Sequence, residues 1–251
     1  MLAAAAVIGI FGLAVGSFLN VCIARLPEGK SLWWPGSACP LCGAAIAWRD
    51  NVPVLSYLAL RGRCRACSGP IAWRYPLVEV VTAGLFVLTF LRLGWTPDLP
   101  MGLALVAGLI AITGIDLLHQ IIPDVITVPG ILLGFLANSL AGRVSWLDSF
   151  LGILAGGGIF FVIIFVSKGG MGGGDMKLGA MLGAFLGWKV ALISLLIAVL
   201  SGGMVAAVLL LTRARGRKDP VPFGPFLALG GLAGLLWGET LLAWYVGSFG
   251  R

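Results

Sequence analysis

Eight apolar runs, at residues 2–24, 77–91, 99–118, 125–141, 149–166, 178–188, 190–212 and 223–247, take up most of this chain. A helix needs about 20 consecutive apolar residues to cross a hydrocarbon layer about 30 Å thick, and several of the runs reach that length. Charge is scarce between and within them: 11% of residues are Asp, Glu, Lys or Arg, against about 25% in soluble domains. The mean hydropathy is +1.05. Backbone polar groups in lipid must be satisfied within the segment, which selects helices. The expected fold is an all-α polytopic membrane protein with about eight transmembrane helices. Residues 1–24 carry no basic n-region, so they read as a retained first span instead of a cleaved signal.

The basic residues set an orientation. With the N-terminus outside, the 25–75 segment is cytoplasmic and holds Arg25, Lys30, Arg49, Arg61, Arg63, Arg65 and Arg74. Lys168, Lys177, Arg213, Arg215, Arg217 and Lys218 also fall inside, so 13 of the 17 basic residues are cytoplasmic. Arg92, Arg143, Lys189 and Arg251 lie outside. The positive-inside rule therefore accounts for the net charge of +7 without a nucleic-acid partner; the expected surroundings are membrane lipid. One span is short: residues 178–188 reach only about 17 Å as a helix. It must still cross, because otherwise the 213–218 basic cluster would emerge outside. Small-residue spacings such as Gly12/Gly16, Gly152/Gly156, Gly179/Gly183/Gly187 and Gly230/Gly234/Gly238 read as close helix packing within one bundle. The expected organisation is a first transmembrane helix (1–24), a cytoplasmic zinc-binding domain (25–75) and a transmembrane core (76–251).

The cytoplasmic segment carries CPLC at 39–42 and CRAC at 64–67, with 21 residues between them. Two CxxC turns supply four thiolates, the donor set of a closed, structural Zn2+ site with Cys39, Cys42, Cys64 and Cys67 as ligands. A reducing cytosol disfavours the competing disulfide reading. Cys22, inside the first span, reads as a small buried hydrophobe.

Ionisable groups at membrane depth are expensive, and each marks a candidate site. Asp116 lies near the cytoplasmic end of the third span, and Asp175 begins the sixth from the same side. Two carboxylates at one depth resist double ionisation and can share a proton, as in aspartic-protease chemistry. Asp124 follows Pro123 and can cap the fourth span. Glu79 sits about one turn inside the second span, where it can pair with Arg74 or line a cavity. His119 is the only histidine, so no Ser–His or Cys–His pair competes. The stretch GGMGGGDMK, 169–177, is no phosphate loop, since Asp175 stands where Lys and Ser/Thr would be needed. A plain interhelical turn with a capping aspartate remains open. So does an ion- or proton-coupled transporter using Asp116, Asp124 and Glu79, and a zinc-stabilised scaffold without chemistry.

The stretches GSFLNVCIARLP (16–27), DNVPVLSYLALRGRCRAC (50–67), RYPLVE (74–79), DLLHQIIPD (116–124), GMGGGDMKLG (170–179) and PFGPFLALG (222–230), in this order, resemble the type IV prepilin leader peptidases. Presenilin-like proteases share the GxGD element, so the cysteine module adds specificity. The resemblance implies a bacterial inner-membrane aspartic protease acting at the cytoplasmic face. Such enzymes cut the leader of type IV prepilins or type II secretion pseudopilins after a glycine. Many also N-methylate the new N-terminal residue with S-adenosylmethionine. Carried over, the catalytic residues are Asp116 and Asp175, and Asp124 matches a recurrent position. The cysteine loop is characteristic of bifunctional members, so methyltransferase activity is expected, with its cofactor residues unassigned. Cys22 and His119 fall where the family varies. Helix position adds a finer expectation. Asp175, at a helix N-terminus with Lys177 two residues on, is predicted to be the charged base, and Asp116, at a helix C-terminus, the acid. Glycines 169, 170 and 172–174, with Gly172 and Gly174 foremost, are expected to form a hinge.

Overall fold

The apolar runs fold as helices, and the computed structural model describes residues 1–142, 144–166, 172–212 and 221–249. Arg143, Lys168, Gly169, Gly170, Arg213, Arg215, Arg217, Lys218 and Arg251, on which part of the charge and hinge readings rest, lie outside the described residues. The helices are α1 (Leu2–Arg25), α2 (Leu55–Ala59), α3 (Arg74–Leu93), α4 (Asp98–His119), α5 (Asp124–Ala141), α6 (Trp146–Val166), α7 (Gly173–Leu211) and α8 (Gly224–Phe249). Among the described residues six helices are long and apolar enough to cross a membrane, with α5 a shorter apolar one. The protein is thus all-helical and fits a multi-pass membrane protein. It divides into two compact units, Met1–Trp95 and Thr96–Arg251.

In the first unit α1 packs on α3 through glycines. A Cβ at Gly12 would come within 2.7 Å of the Ala83 Cα, and one at Gly16 within 2.7 Å of the Glu79 Cα. The small-residue stripe therefore buys close backbone approach, as its spacing predicted. Asn20 Nδ2 donates to the Tyr75 carbonyl at 3.0 Å, tying the same ends together. Between the two helices lies the loop carrying the cysteines.

In the second unit α4 is the most buried of the candidate spans. Leu105, Val106, Leu109, Ile112 and Ile115 are each at most 1% exposed. Helices α6 and α7 meet glycine on glycine: Gly152 lies against Gly183 and Gly156 against Gly179. The two runs expected at 178–188 and 190–212 form one element, α7, broken at Gly187 (φ 73°, ψ 164°). Only glycine takes that conformation cheaply.

Contacts with α8 show what the break does. On the first arm, Leu182 lies against Gly231 and Leu186 against Gly234. On the second arm, Val190 lies against Gly238, Ser194 against Gly234 and Gly230, and Gly202 against Phe226 and Phe223. The register along α8 rises and then falls, so the chain reverses at Gly187 and the arms run antiparallel. The first arm is a short segment, separated from the second by the break at Gly187. A helix that stops exposes its last carbonyls. Here the Ala184 carbonyl accepts from Asn138 Nδ2 at 2.8 Å and from Ser149 Oγ at 2.7 Å, and the Phe185 carbonyl from Asn138 Nδ2 at 3.1 Å. Side chains of α5 and α6 thus cap the broken end from outside.

Candidate active site

Three helix termini of the second unit carry acidic residues singled out in the sequence. Asp116 lies in the last turn of α4, which ends where Gln120 turns left-handed (φ 55°). Pro123, in extended backbone, then starts α5, with Asp124 as its first residue. Gly172 is the extended N-cap of α7 and Asp175 its third residue. Asp116 and Asp175 are 4% and 9% exposed and lie within Coulombic reach of each other. The Asp175 carboxylate also accepts a hydrogen bond from the Gly172 backbone. Ile122, in the α4–α5 link, abuts Gly174, where a Cβ would come 2.8 Å from the Ile122 Cβ.

Three findings refine the sequence reading. Lys177 does not turn to Asp175. Its Nζ donates to Asp124 Oδ2 at 2.6 Å, joining the first turns of α5 and α7. Asp124 is exposed and Lys177 partly so, and such a pair near the surface contributes about 0–1 kcal/mol. Gly174 sits within the first turn of α7, where its missing side chain allows close packing against Ile122, and Gly172 stands just before the helix. Asp116 has a partner the sequence did not suggest: the Gly224 N–H, at the start of α8, donates to its Oδ2 at 2.8 Å. Each carboxylate therefore faces a helix N-terminus, and the contrast in helix position that was to separate base from acid is gone. The only hint of Gly224 in the sequence was the PFGPF stretch around it.

Glu79 belongs to the first unit. It is buried, and its Oε2 accepts the Val54 N–H at 2.8 Å while Ser17 supplies a further hydrogen bond. Pairing with Arg74 is one of the two uses the sequence leaves open to Glu79; Arg74 places its guanidinium over the Tyr75 ring at 5.2 Å. Val54 has φ 60°, uncommon for a β-branched residue. Glu79 thus holds a strained point of the loop between the two cysteine turns.

Those turns are built alike. Ala38 bridges to Ala45 across one and Arg63 to Pro70 across the other. Each closes with a left-handed residue after its second cysteine, Gly43 (φ 71°) and Ser68 (φ 58°). Cys39 Sγ and Cys67 Sγ are 3.9 Å apart, and all four sulfurs lie within 4.8 Å of one another. Thiolates about 2.3 Å from a tetrahedral Zn2+ stand about 3.8 Å apart, so the four residues fit the ion. Backbone N–H groups of Cys42 and Leu41 pull the Cys39 thiol down to about 7, while, against the pull of the Gly69 N–H, the neighbouring thiols and burial push Cys67 up to about 11, so without a metal the four thiols share their protons unevenly.

Comparison with known proteins follows the same division. The family profile described as Bacterial Peptidase A24 N-terminal domain matches residues 10–93, and that described as Type IV leader peptidase family matches 103–207. The chain is 40% identical over 271 residues to the prepilin leader peptidase/N-methyltransferase of Aeromonas hydrophila, covering 96% of this chain and 93% of that one. It is 37% identical over 265 residues to the protein of that name from Pseudomonas aeruginosa, covering 94% and 91%. No solved structure matches.

Proposed function

The chain belongs to the type IV leader peptidase family, and from that premise we propose that Asp116 and Asp175 hydrolyse the leader peptide bond of a prepilin or pseudopilin. The protein is a prepilin leader peptidase and N-methyltransferase by kinship. The observation that carries the proposed site is that two buried carboxylates, 59 residues apart in sequence, lie within Coulombic reach of each other at helix ends of the second unit. Nothing observed favours an ion- or proton-coupled transporter.

One carboxylate takes a proton from water, whose oxygen attacks the carbonyl carbon of the glycine before the scissile bond, while the other donates its proton to that carbonyl oxygen. As the tetrahedral intermediate collapses, the C–N bond breaks, the first carboxylate passes its proton to the leaving amine, and the second recovers one from the hydroxyl as the new carboxyl group forms. Close carboxylates titrate as a pair, so the resting proton is assigned to the pair and not to either residue. Asp124 and Lys177 brace α5 against α7 beside it. The substrate enters as a membrane helix with a basic leader, and the stretch around Gly172 lies next to where its extended backbone must pass. From the distribution of Lys and Arg, we place this end and the cysteine loop at the cytoplasmic face of the bacterial inner membrane. Cys39, Cys42, Cys64 and Cys67 would hold Zn2+, which would stabilise the loop without joining the chemistry. S-adenosylmethionine would supply an electrophilic methyl group for the new N-terminal amine.

Membranes containing the protein, incubated with a purified prepilin, test this by mass spectrometry. Wild type removes the leader, and the mature chain gains one methyl group only when S-adenosylmethionine is added. Asp116→Asn and Asp175→Asn leave the leader in place. Full cleavage by either variant rejects the pair.

A further inference from the structure

The first turn of α8 has one backbone donor left over. The N–H groups of Phe226 and Leu227 both go to the Phe223 carbonyl, at 3.0 and 3.1 Å. Pro225 has no N–H. The remaining donor, on Gly224, reaches Asp116 Oδ2 at 2.8 Å across 108 residues of sequence. The approach depends on glycine: a Cβ at 224 would lie 2.7 Å from Asp116 Oδ2 and 3.2 Å from its Cγ. Asp116 therefore completes the N-terminus of a helix from which it is remote in sequence.

That helix end is itself held. Phe223 meets Phe160 of α6 edge-on, with ring centroids 6.1 Å apart, and lies 6.2 Å from Phe226. Gly202 brings the second arm of α7 against both Phe223 and Phe226. The donor is thus fixed by packing from two other helices, and it fixes one carboxylate oxygen in turn.

Resting on the assignment of Asp116 and Asp175 to hydrolysis, we propose that Gly224 is a positioning residue for leader cleavage. It seats Asp116 through Oδ2 and leaves Oδ1 to face the reacting water and Asp175. Catalytic groups work only when held near the geometry of reaction, and misplacement by about 1 Å costs about 100-fold. Gly224 acts through Asp116, so its replacement misplaces the carboxylate and falls on kcat instead of substrate affinity. The Pro225 ring behind it removes the one competing donor at this position.

The test compares wild type, Gly224→Ala and Gly203→Ala in membranes, where position 203 has no atom within 4 Å of an added Cβ. Gly224→Ala is expected to lower kcat for prepilin cleavage about 10- to 100-fold, with KM within about twofold. Methylation of an already cleaved pilin needs no hydrolytic pair and stays within about twofold of wild type, which a misfolded chain would not deliver. Gly203→Ala cleaves like wild type. Cleavage by Gly224→Ala at the wild-type kcat overturns the proposal. If the alanine variant loses both activities, amide exchange at Gly224 decides. Asp116→Ala should speed that exchange about tenfold or more, and unchanged exchange overturns the proposal. Failure of wild type to cleave any prepilin would instead strike the assignment of function, while the exchange measurement would still decide whether Asp116 holds Gly224.

Discussion

The cysteine loop of the first unit and the helices of the second unit reach order by opposite means. In the first, the loop between α1 and α3 has little apolar burial of its own: Cys39 and Ser56 are its buried residues. Its order comes from two short turns with the same backbone bridges and four sulfurs within 4.8 Å. In the second, order comes from helix packing through glycine contacts, and the carboxylates are set by chain ends from four helices. The partners in the cysteine cluster span 28 residues, whereas Asp124 and Lys177 are 53 apart and Asp116 and Gly224 are 108 apart. A metal-built site can be written locally in a sequence. A packing-built site cannot, because each of its members depends on helices far along the chain.

Removing the metal should break that contrast most sharply. Structural Zn2+ in small domains contributes roughly 10–16 kcal/mol of apparent binding energy, more than this loop can obtain from burial. Chelation is expected to make all four cysteines react with a thiol reagent and to open the 25–75 segment to protease, while 96–251 keeps its protection. Protons compete with the metal for the thiolates, so zinc content should fall as pH is lowered and be retained as it is raised. Zinc loss on raising pH between neutrality and mild alkali would contradict the four-thiolate site.

A substitution in the second unit should do the reverse. Gly183 faces the Gly152 backbone so closely that an added Cβ meets its carbonyl. Gly183→Leu is expected to destabilise the second unit by at least about 1–3 kcal/mol through overpacking. Thermal unfolding in detergent should register the loss, while zinc content remains that of wild type. Loss of zinc together with loss of helix packing would mean that the units are not independent in their stability.

The smallest effect sharpens the account of the carboxylates. Lys177→Met removes the pairing with Asp124, worth about 0–1 kcal/mol at the surface. Cleavage should fall only a few-fold. A loss as large as that of the Asp175→Asn variant would restore the direct link between Lys177 and Asp175 that the sequence suggested.

How much was legible follows from the same contrast. CPLC and CRAC declared their chemistry by spacing alone, and the sulfurs converge as expected. The eight apolar runs were legible from hydropathy. The separateness of the short 178–188 run was argued only from the balance of Lys and Arg, and the structure shows it as the first arm of α7, broken off at Gly187. What escaped were partners made by folding. Asn138 and Ser149 look like ordinary polar residues in apolar helices, yet they cap the arm that Gly187 breaks. Lys177 was near Asp175 in sequence, but helical geometry turns residues two apart away from each other, and it found Asp124. Gly224 reads as part of a proline-rich turn, and nothing within twenty residues points to Asp116.

The central claim is that Asp116 and Asp175 act as one unit, and the most direct measurement is prepilin cleavage by the two single Asn variants and the double variant. Groups that act together are grossly non-additive. Each single variant is therefore expected to lose at least about 100- to 10,000-fold in kcat, the range of general acid–base catalysis, and the double variant no more than the worse single one. Losses that multiply in the double variant, or a single variant that cleaves at the wild-type rate, would contradict it.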